Sequence, residues 1–247
     1  MKILFTICAR AGSKGVESKN TKLFLGKPLI EYTINFSLNA MKHYSNQYNI
    51  DTVVSSDSNE VKEIVRRTGS LYYINRPPEM STDTYPKVPV IRHATEYMET
   101  IKELKYDLVI DLDVTAPLRK LNEIEQIVHQ SKNSQHKVVM SAVRSRRNPY
   151  FNIVEISSNN AVKTKSSDYL YRQAAPQTYD LTPSYYCFER SALMNEIEKS
   201  VFEVKCGIFI LPDYYVIDID SEEDFEALEF LVKHKYREDF LDVFGSQ

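Results

Sequence analysis

A buried apolar run followed by a loop rich in glycine and cations opens this chain of 247 residues. The run, residues 3–7, is typical of a strand buried on both faces in the middle of a parallel sheet. The loop, residues 8–20, holds two of the six glycines, and Gly26 follows shortly. Five cations share this stretch with one acid: Arg10, Lys14, Lys19, Lys22 and Lys27, with Glu17. Because glycine admits close backbone approach and adjacent N–H groups attract anions, we interpret the loop as a phosphate-binding loop.

This loop has neither of the standard phosphate-binding fingerprints. It contains no G-x-G-x-x-G and no G-x-x-x-x-G-K-[ST], so it is neither a standard dinucleotide loop nor a Walker A loop. The alternative is an ordinary surface turn with solvated lysines. Phosphate binding is favoured because ordinary turns rarely gather this much cation and glycine at the carboxyl edge of a sheet.

Apolar periodicity after the loop alternates between helices and strands. A first helix is followed by strands at 52–55 and 71–74. Between them we predict a helix that begins with a capping box at Asp57 and Glu60 and ends at Gly69. The order β-α-β-α-β predicts an α/β fold with a mainly parallel, doubly wound sheet flanked by helices.

The pattern continues with a helix whose inward face includes Ile101, and with strands at 107–113 and 138–143. It then becomes less regular, with a hairpin predicted around Asn159. A strand is expected at 214–219, followed by a last helix. We therefore predict a single domain over residues 1–247, with an inserted section at 148–212.

Overall composition limits which binding partners and which cellular compartment we expect for this chain. The net charge is only −3, so no global field draws the chain to nucleic acid. The three cysteines, Cys8, Cys187 and Cys206, form neither a disulfide framework nor metal-ligand spacing, which favours a reducing cytoplasm. No apolar run is long enough to span a membrane. We expect a cytoplasmic protein with neither a nucleic-acid nor a membrane partner.

Two pairs of aspartates follow predicted strands. Asp218 and Asp220 have alternate spacing, which places both carboxylates on one side of an extended segment. Such a pair favours Mg²⁺, which takes carboxylate oxygens together with substrate phosphate. The alternative is that Asp220 and Ser221 cap the last helix. For Asp111 and Asp113, a metal or sugar contact and a solvated strand end stay equally open.

One arginine lies in an irregular section rich in tyrosine. Arg172, next to Gln173, suits bidentate binding of a carboxylate. The alternative is a surface arginine stacked on tyrosine. The five histidines have no spacing that suggests a metal site or a catalytic triad.

The loop and six later motifs, in order along almost the whole chain, resemble the acylneuraminate cytidylyltransferases, or CMP-sialic acid synthetases. The loop match covers residues 9–15, 19–20 and 26–30. The later motifs are Ser55-Ser56-Asp57, Arg76-Pro77, Ser81-x-Asp83-Thr84, residues 115–119, Arg172-Gln173 with Pro176-Gln177, and residues 217–220.

The resemblance implies a Rossmann-like fold of the nucleotide-sugar transferase type. It also implies a homodimer formed through the section at 148–212. The implied reaction takes CTP and a nonulosonic acid, a nine-carbon 2-keto sugar acid, to a CMP-sugar and pyrophosphate, with Mg²⁺ as cofactor.

Roles for individual residues are also implied by the resemblance. The nucleotide would be held by Arg10, Ser13, Lys14, Lys19, Asn20, Arg76 and Ser81. The sugar would be held by Arg172, Gln173 and Tyr186, the metal by Asp218 and Asp220, and catalysis would fall to Lys19, Asp220 and Arg10.

Two departures from the N-acetylneuraminate enzymes fall on the sugar side. Asp113 stands where those enzymes have glutamine, and Phe151 where they have lysine. Both departures resemble the legionaminic acid branch. The sugar of that branch has an extra acylamino group, and Asp113 could accept a hydrogen bond from its N–H. The end of the sugar is more apolar, which suits Phe151. Alternatives are a transferase for pseudaminic or 3-deoxy-octulosonic acid, and an inactive nucleotide-binding protein. The intact Lys19, Asp218 and Asp220 count against the inactive protein.

Overall fold

The computed structural model describes residues 1–12, 15–213 and 217–244. Its strands are β1 Lys2–Cys8, β2 Leu23–Phe24, β3 Lys27–Pro28, β4 Asn49–Ser56, β5 Tyr72–Asn75, β6 Leu108–Asp111, β7 Val138–Arg144, β8 Val154–Ser157, β9 Asn160–Lys163, β10 Tyr179–Glu189 and β11 Cys206–Ile210. Seven of them form one sheet in the order β11-β7-β10-β6-β1-β4-β5. Strand β10 is antiparallel to both neighbours, and the other pairs are parallel. The predicted mainly parallel sheet is confirmed.

Helices cover both faces of this sheet. They are α1 Leu29–His43, α2 Asn59–Thr68, α3 Lys87–Lys102, α4 Leu121–Asn133, α5 Arg190–Asn195, α6 Glu222–Leu231 and α7 Leu241–Phe244. Side chains of α1, α2, α4, α6 and α7 join one apolar cluster, and those of α3 and α5 join the other. Within the described ranges, no helix is both long and apolar enough to cross a membrane.

Strand β1 shows why its sequence is apolar throughout. Ile3, Phe5 and Ile7 face the cluster formed with α1, whereas Leu4 faces the cluster formed with α3. All four side chains are completely buried. A strand with helices on both faces has no polar face, as predicted for the centre of a parallel sheet. Its carboxyl end therefore opens between two helical layers, where ligands bind in such folds.

The start of α2 differs from the prediction. Ser58, not Asp57, is the cap residue, and its hydroxyl accepts a hydrogen bond from the Val61 N–H at 3.3 Å. Asp57 instead accepts from the Ala11 N–H at 2.7 Å, because this strand end faces the opening loop. The predicted end is confirmed, since Gly69 adopts φ +64°.

Ile101 was wrongly placed on the inward face of α3. Its side chain is 44% exposed, and Met98 is the last buried residue of the helix. The chain turns at Glu103, with φ 51°. Leu104 and Tyr106 then pack on the apolar cluster where the helical stripe would have continued.

The second half contains both agreement and difference. The hairpin β8–β9 is confirmed, and its turn residues Ser158 and Asn159 both have positive φ. Strand β10 starts at Tyr179, so part of the section expected to be irregular is strand, with a shift of register against β7 between Leu181 and Tyr186. The strand expected at 214–219 lies partly outside the described residues, and 217–219 form no strand.

Candidate active site

The opening loop is held against neighbouring strand ends by its own backbone. Besides the Ala11–Asp57 bond, the Asn20 side chain donates to the Arg10 carbonyl at 2.9 Å. Gly12 adopts φ +70°, a conformation that glycine takes without a side-chain clash. The described parts of the loop, residues 8–12 and 15–20, are thus held at the carboxyl edge of the sheet. Of the predicted nucleotide contacts, Ser13 and Lys14 lie outside the described residues.

Two chain segments far apart in sequence meet at this loop. A Cβ atom on Gly15 would lie 1.9 Å from the Asp220 carbonyl oxygen, so the backbones approach as only glycine allows. The Lys19 ammonium donates to the Ile219 carbonyl at 2.5 Å and lies 3.4 Å from Asp220 Oδ1. The Lys19 side chain is 13% exposed and that of Asp220 76%. The phosphate loop and the predicted metal pair therefore form one site.

Asp218 carries an unpaired buried oxygen. Among the described residues its Oδ1 has no hydrogen-bond partner. Burial raises the pKa of Asp218; the Thr115 hydroxyl acts to lower it, and the Asp220 carboxylate raises it further. A buried, unpaired carboxylate oxygen beside a second, exposed carboxylate suits a divalent cation.

The described side chains offer a metal ion the aspartate pair and no larger cluster of His, Cys, Asp or Glu. The described ranges hold no group of three or more His, Cys, Asp or Glu side chains suited to a metal ion. This fits Mg²⁺, which commonly binds one or two carboxylates and completes its shell with water and substrate phosphate.

The capping alternative for Asp220 fails on geometry. The cap of α6 is Ser221, whose hydroxyl accepts from the Asp224 N–H at 3.1 Å. The Asp224 carboxylate accepts in return from the Ser221 N–H at 2.9 Å. Capping thus uses Ser221 and Asp224 and leaves the Asp220 carboxylate facing Lys19.

Arg10 is already paired at its guanidinium. One nitrogen lies 2.6 Å from Asp83 Oδ1, and another donates to the Gly12 carbonyl at 2.6 Å. The Arg10 side chain is 30% exposed and that of Asp83 34%. The Arg10–Asp83 ion pair therefore joins the motif at Ser81-x-Asp83 to the loop, a contact that the sequence did not predict. An incoming phosphate would compete with Asp83 for Arg10.

Arg76 and Ser81 both donate to backbone carbonyls. Arg76 is 5% exposed and donates to the Ser55 carbonyl at 2.9 Å. The Ser81 hydroxyl donates to the Pro77 carbonyl at 3.1 Å. Their assignment to the nucleotide stays a prediction.

Two adjoining cavities open at this edge. The first, about 200 Å³, has Arg10, Arg76 and Asp113 in its wall. The second, about 310 Å³, has Lys19 and Asp220, again with Arg10 and Asp113. The shared residues mark where two substrates could meet.

Lys87, which sequence reasoning missed, links the second aspartate pair. Its ammonium lies 2.6 Å from Asp111 Oδ2 and 2.5 Å from Asp113 Oδ2. Asp111 is completely buried and accepts from the Thr6 hydroxyl at 2.8 Å, so a solvated strand end is wrong for this residue. Burial opposes ionisation of Asp113, but Lys87 and Thr115 hold its pKa at about 2. Two acids at the end of a buried strand need a nearby cation to balance their charge. This need was the sequence signal that could have pointed to a partner such as Lys87.

Tyr186 is placed beside this cluster by strand register. It pairs with Asp111 across β6 and β10 and is half-buried. Burial raises the pKa of its phenol, while the Lys87 ammonium lowers it. Tyr186 thus lies in the field of Lys87, on the predicted sugar side.

The other predicted sugar residues lie in the arm, which we define as residues 148–175. Arg172 is exposed and donates to the Ser145 carbonyl at 2.7 Å. Gln173 is exposed and Phe151 half-buried. Neither cavity has any of the three in its described wall. Their sugar-binding role stays a prediction.

Comparison with known proteins gives relatives over almost the full length of this chain. A family model described as cytidylyltransferase matches residues 4–238. Post-translational flagellin modification protein B of Campylobacter coli is 37% identical, over 95% of this chain and 96% of the relative. CMP-N,N'-diacetyllegionaminic acid synthase of Campylobacter jejuni is 36% identical over the same shares. Pseudaminic acid cytidylyltransferase of Campylobacter jejuni is 30% identical, over 97% and 100%.

Solved structures share the fold at low sequence identity. CMP:2-keto-3-deoxy-manno-octonic acid synthetase, in complex with CTP, superposes with a TM-score of 0.64 at 16% identity, over 95% of this chain and all of the other. A 4-diphosphocytidyl-2C-methyl-D-erythritol synthase gives 0.62 at 10% identity, over 94% and 98%. The full-length family match and the relatives at 30% identity or more show that this chain belongs to the cytidylyltransferase family.

Proposed function

We propose that this enzyme transfers CMP from CTP to the anomeric hydroxyl of a nonulosonic acid of the N,N'-diacetyllegionaminic type. The observation that carries the proposal is the joining of the phosphate loop to the aspartate pair through Lys19, Gly15 and Asp220. That junction gathers cation, carboxylates and a cavity at the carboxyl edge of the sheet. Phosphoryl transfer depends mainly on such positioning and charge neutralisation.

The reaction balances as a single displacement. The anomeric oxygen attacks the α-phosphorus and forms the sugar–phosphate bond. The bond from that phosphorus to the bridging oxygen breaks, and pyrophosphate leaves with the electron pair. The hydroxyl proton passes to a carboxylate, for which the exposed Asp220 is our candidate. Lys19 offsets negative charge on the triphosphate, exchanging its carbonyl partner for phosphate oxygen.

Asp218 and Asp220 are the residues that would hold Mg²⁺. When bound, the ion would supply charge neutralisation to phosphate oxygens and a lower pKa to a bound hydroxyl. The unpaired Asp218 oxygen supports this assignment.

The choice of sugar rests on relatives and on Asp113. The diacetyllegionaminic acid synthase is more similar to this chain than the N-acylneuraminate cytidylyltransferase of Streptococcus agalactiae, which is 27% identical. Asp113 is an ionised acceptor next to both cavities. An ionised acceptor at this place can bind the extra N–H donor of such a sugar.

We further propose a cytoplasmic homodimer. An apolar groove of about 710 Å³ runs between the base of the arm and the sheet edge, with Ile153, Leu181 and Phe202 in its wall. Phe202 is 68% exposed. A second copy would cover this surface, and sedimentation should then give twice the chain mass of 28.7 kDa.

Pyrophosphate release tests the proposed function. The purified enzyme is given CTP and magnesium with N,N'-diacetyllegionaminic, pseudaminic, N-acetylneuraminic or 3-deoxy-octulosonic acid. We expect the highest kcat/KM with the first sugar and no release when magnesium is chelated. A clear preference for another sugar contradicts the substrate assignment. Binding of CTP without release from any sugar contradicts the enzymatic one.

A further inference from the structure

Lys87 is the starting point, because it bridges a fully buried acid and a partly open one. Its side chain is 38% exposed, that of Asp113 20%, and Asp111 is completely buried. One side of the ammonium therefore neutralises Asp111, while the other side reaches the cavity that it borders with Asp113. A lysine needed only for charge balance would not have to face a cavity.

The hydrogen-bonding capacity of this cluster is not exhausted. Asp113 Oδ1 accepts from both the N–H and the hydroxyl of Thr115 at 3.1 Å, and Oδ2 accepts from Lys87. A carboxylate offers about four acceptor positions, so one stays open on Asp113. An ammonium has three hydrogens. Among the described residues Lys87 donates one to Asp113 Oδ2, and it forms an ion pair with Asp111 Oδ2 at 2.6 Å, so at least one hydrogen is left. One donor and one acceptor are thus left side by side.

We propose that Lys87 is a specificity-determining residue that binds the sugar together with Asp113. Asp113 accepts a hydrogen bond from a substituent N–H of the sugar, and the third hydrogen of Lys87 goes to a neighbouring sugar oxygen. The inference rests on the proposed function, because it names part of the sugar site of that reaction. Asp113 borders both cavities, so a sugar held there lies next to the Lys19–Asp220 junction.

Pairing with Lys87 also explains how Asp113 can lie near a bound triphosphate without repelling it. Without Lys87, Asp111 and Asp113 would place two adjacent negative charges near the anionic substrate, and repulsion would weaken binding. With Lys87, the three side chains carry one net negative charge, and Asp113 keeps a fixed orientation. Selection for an N–H donor therefore requires both partners.

Lys87→Met is the principal test, with Lys102→Met as matched control. Lys102 lies on the same helix and pairs with Asp51 at 2.9 Å, but borders neither cavity. We expect Lys87→Met to raise the KM for N,N'-diacetyllegionaminic acid about ten- to a hundredfold, the range for a lost charged hydrogen bond. The Kd of CTP, measured by calorimetry, should change less than about twofold. Lys87→Arg should recover part of the loss, and Lys102→Met should show none.

A second variant keeps the test decisive if Lys87→Met does not fold. In the double variant K87M/D111N the completely buried charge is removed together with its cation, and only the partly exposed Asp113 is left without Lys87. This variant should be as poor with the diacetylated sugar as D113N alone, because Lys87 and Asp113 act as one unit.

Three outcomes overturn the inference. In the first, the sugar KM is unchanged in Lys87→Met and in the double variant. In the second, CTP affinity falls in step with sugar affinity, which places Lys87 at the nucleotide. In the third, the wild type releases pyrophosphate with no sugar, which overturns the proposed function as well and is thereby distinguished from the other two.

Discussion

The opening loop and the arm differ in how far contacts within a single chain hold them in place. The loop follows a strand with five consecutive buried residues, and Lys19, Gly15 and Asn20 each contact a fixed backbone group. In the arm, every residue of β8 and β9 is exposed. Arg172 reaches the body of the protein through one hydrogen bond to Ser145. Among the described residues, Lys19 and Asn20 of the predicted nucleotide site thus contact fixed backbone groups, whereas Arg172 of the arm lies exposed.

This difference suggests what each half requires for function. A two-stranded hairpin is marginally stable by itself in water, so the arm needs another surface to hold Phe151 and Arg172 in place. A second copy of the chain would supply that surface under our dimer proposal. In the predicted nucleotide half, by contrast, Lys19, Asp220 and the Gly15 contact are brought together within one chain.

Removing both metal-site carboxylates should have the largest effect. For the variant D218N/D220N we expect kcat to fall on the order of 1,000-fold, since charge neutralisation at the phosphates is lost. The fold should persist, because the cap of α6 uses Ser221 and Asp224. Pyrophosphate release over a range of magnesium concentrations measures the effect, and circular dichroism checks the fold. Full activity in this variant would show that the aspartates hold no catalytic ion.

Closing the glycine contact should have the next largest effect. In Gly15→Ala the new Cβ meets the Asp220 carbonyl, which is backbone and cannot rotate away. The loop and the aspartate pair must separate, and we expect kcat/KM, measured by pyrophosphate release, to fall about 100-fold.

Gly69→Ala is the control for that variant. Gly69 has φ +64°, and a Cβ atom added there would meet no other atom within 4 Å. The substitution should therefore cost about 1 kcal/mol of stability and no activity. Equal activity of Gly15→Ala and Gly69→Ala would contradict the claim that activity depends on the contact between the loop and the aspartate pair.

Acid should reveal a smaller contribution from Asp113. Its folded pKa is about 2 and its ordinary value 3.8, so its ionised form stabilises the fold above about pH 4, and that stability is lost as the pH falls towards about 2. From pH 5 to pH 3 the wild type should lose about 1 kcal/mol more unfolding free energy than Asp113→Asn. Urea unfolding at both pH values measures this. An equal loss in the two proteins would mean that Lys87 does not hold Asp113 ionised.

Much of the fold was predictable because its signals are local. The apolar run of β1 and the glycine after α2 each depend on residues near in sequence. The misplaced Ile101 depends on where the chain turns at Glu103, which helical periodicity does not encode.

The site was predictable in residue type but not in pairing. The sequence predicts that Lys19 and Asp220 belong to one site, and the structure places the Lys19 ammonium 3.4 Å from Asp220 although residues 217–219 form no strand. The partners Lys87 for Asp113 and Asp83 for Arg10 join elements distant in sequence. Such ion pairs leave no periodic pattern, so only the folded chain reveals them.

The division between the two halves is tested most directly by comparing Lys19→Met with Arg172→Ala in one set of measurements. CTP affinity is measured by calorimetry, and sugar KM by pyrophosphate release. We expect Lys19→Met to weaken CTP binding at least about tenfold, whereas Arg172→Ala should leave it within about twofold and raise the sugar KM about tenfold. The division is contradicted if Arg172→Ala weakens CTP binding as much as Lys19→Met does.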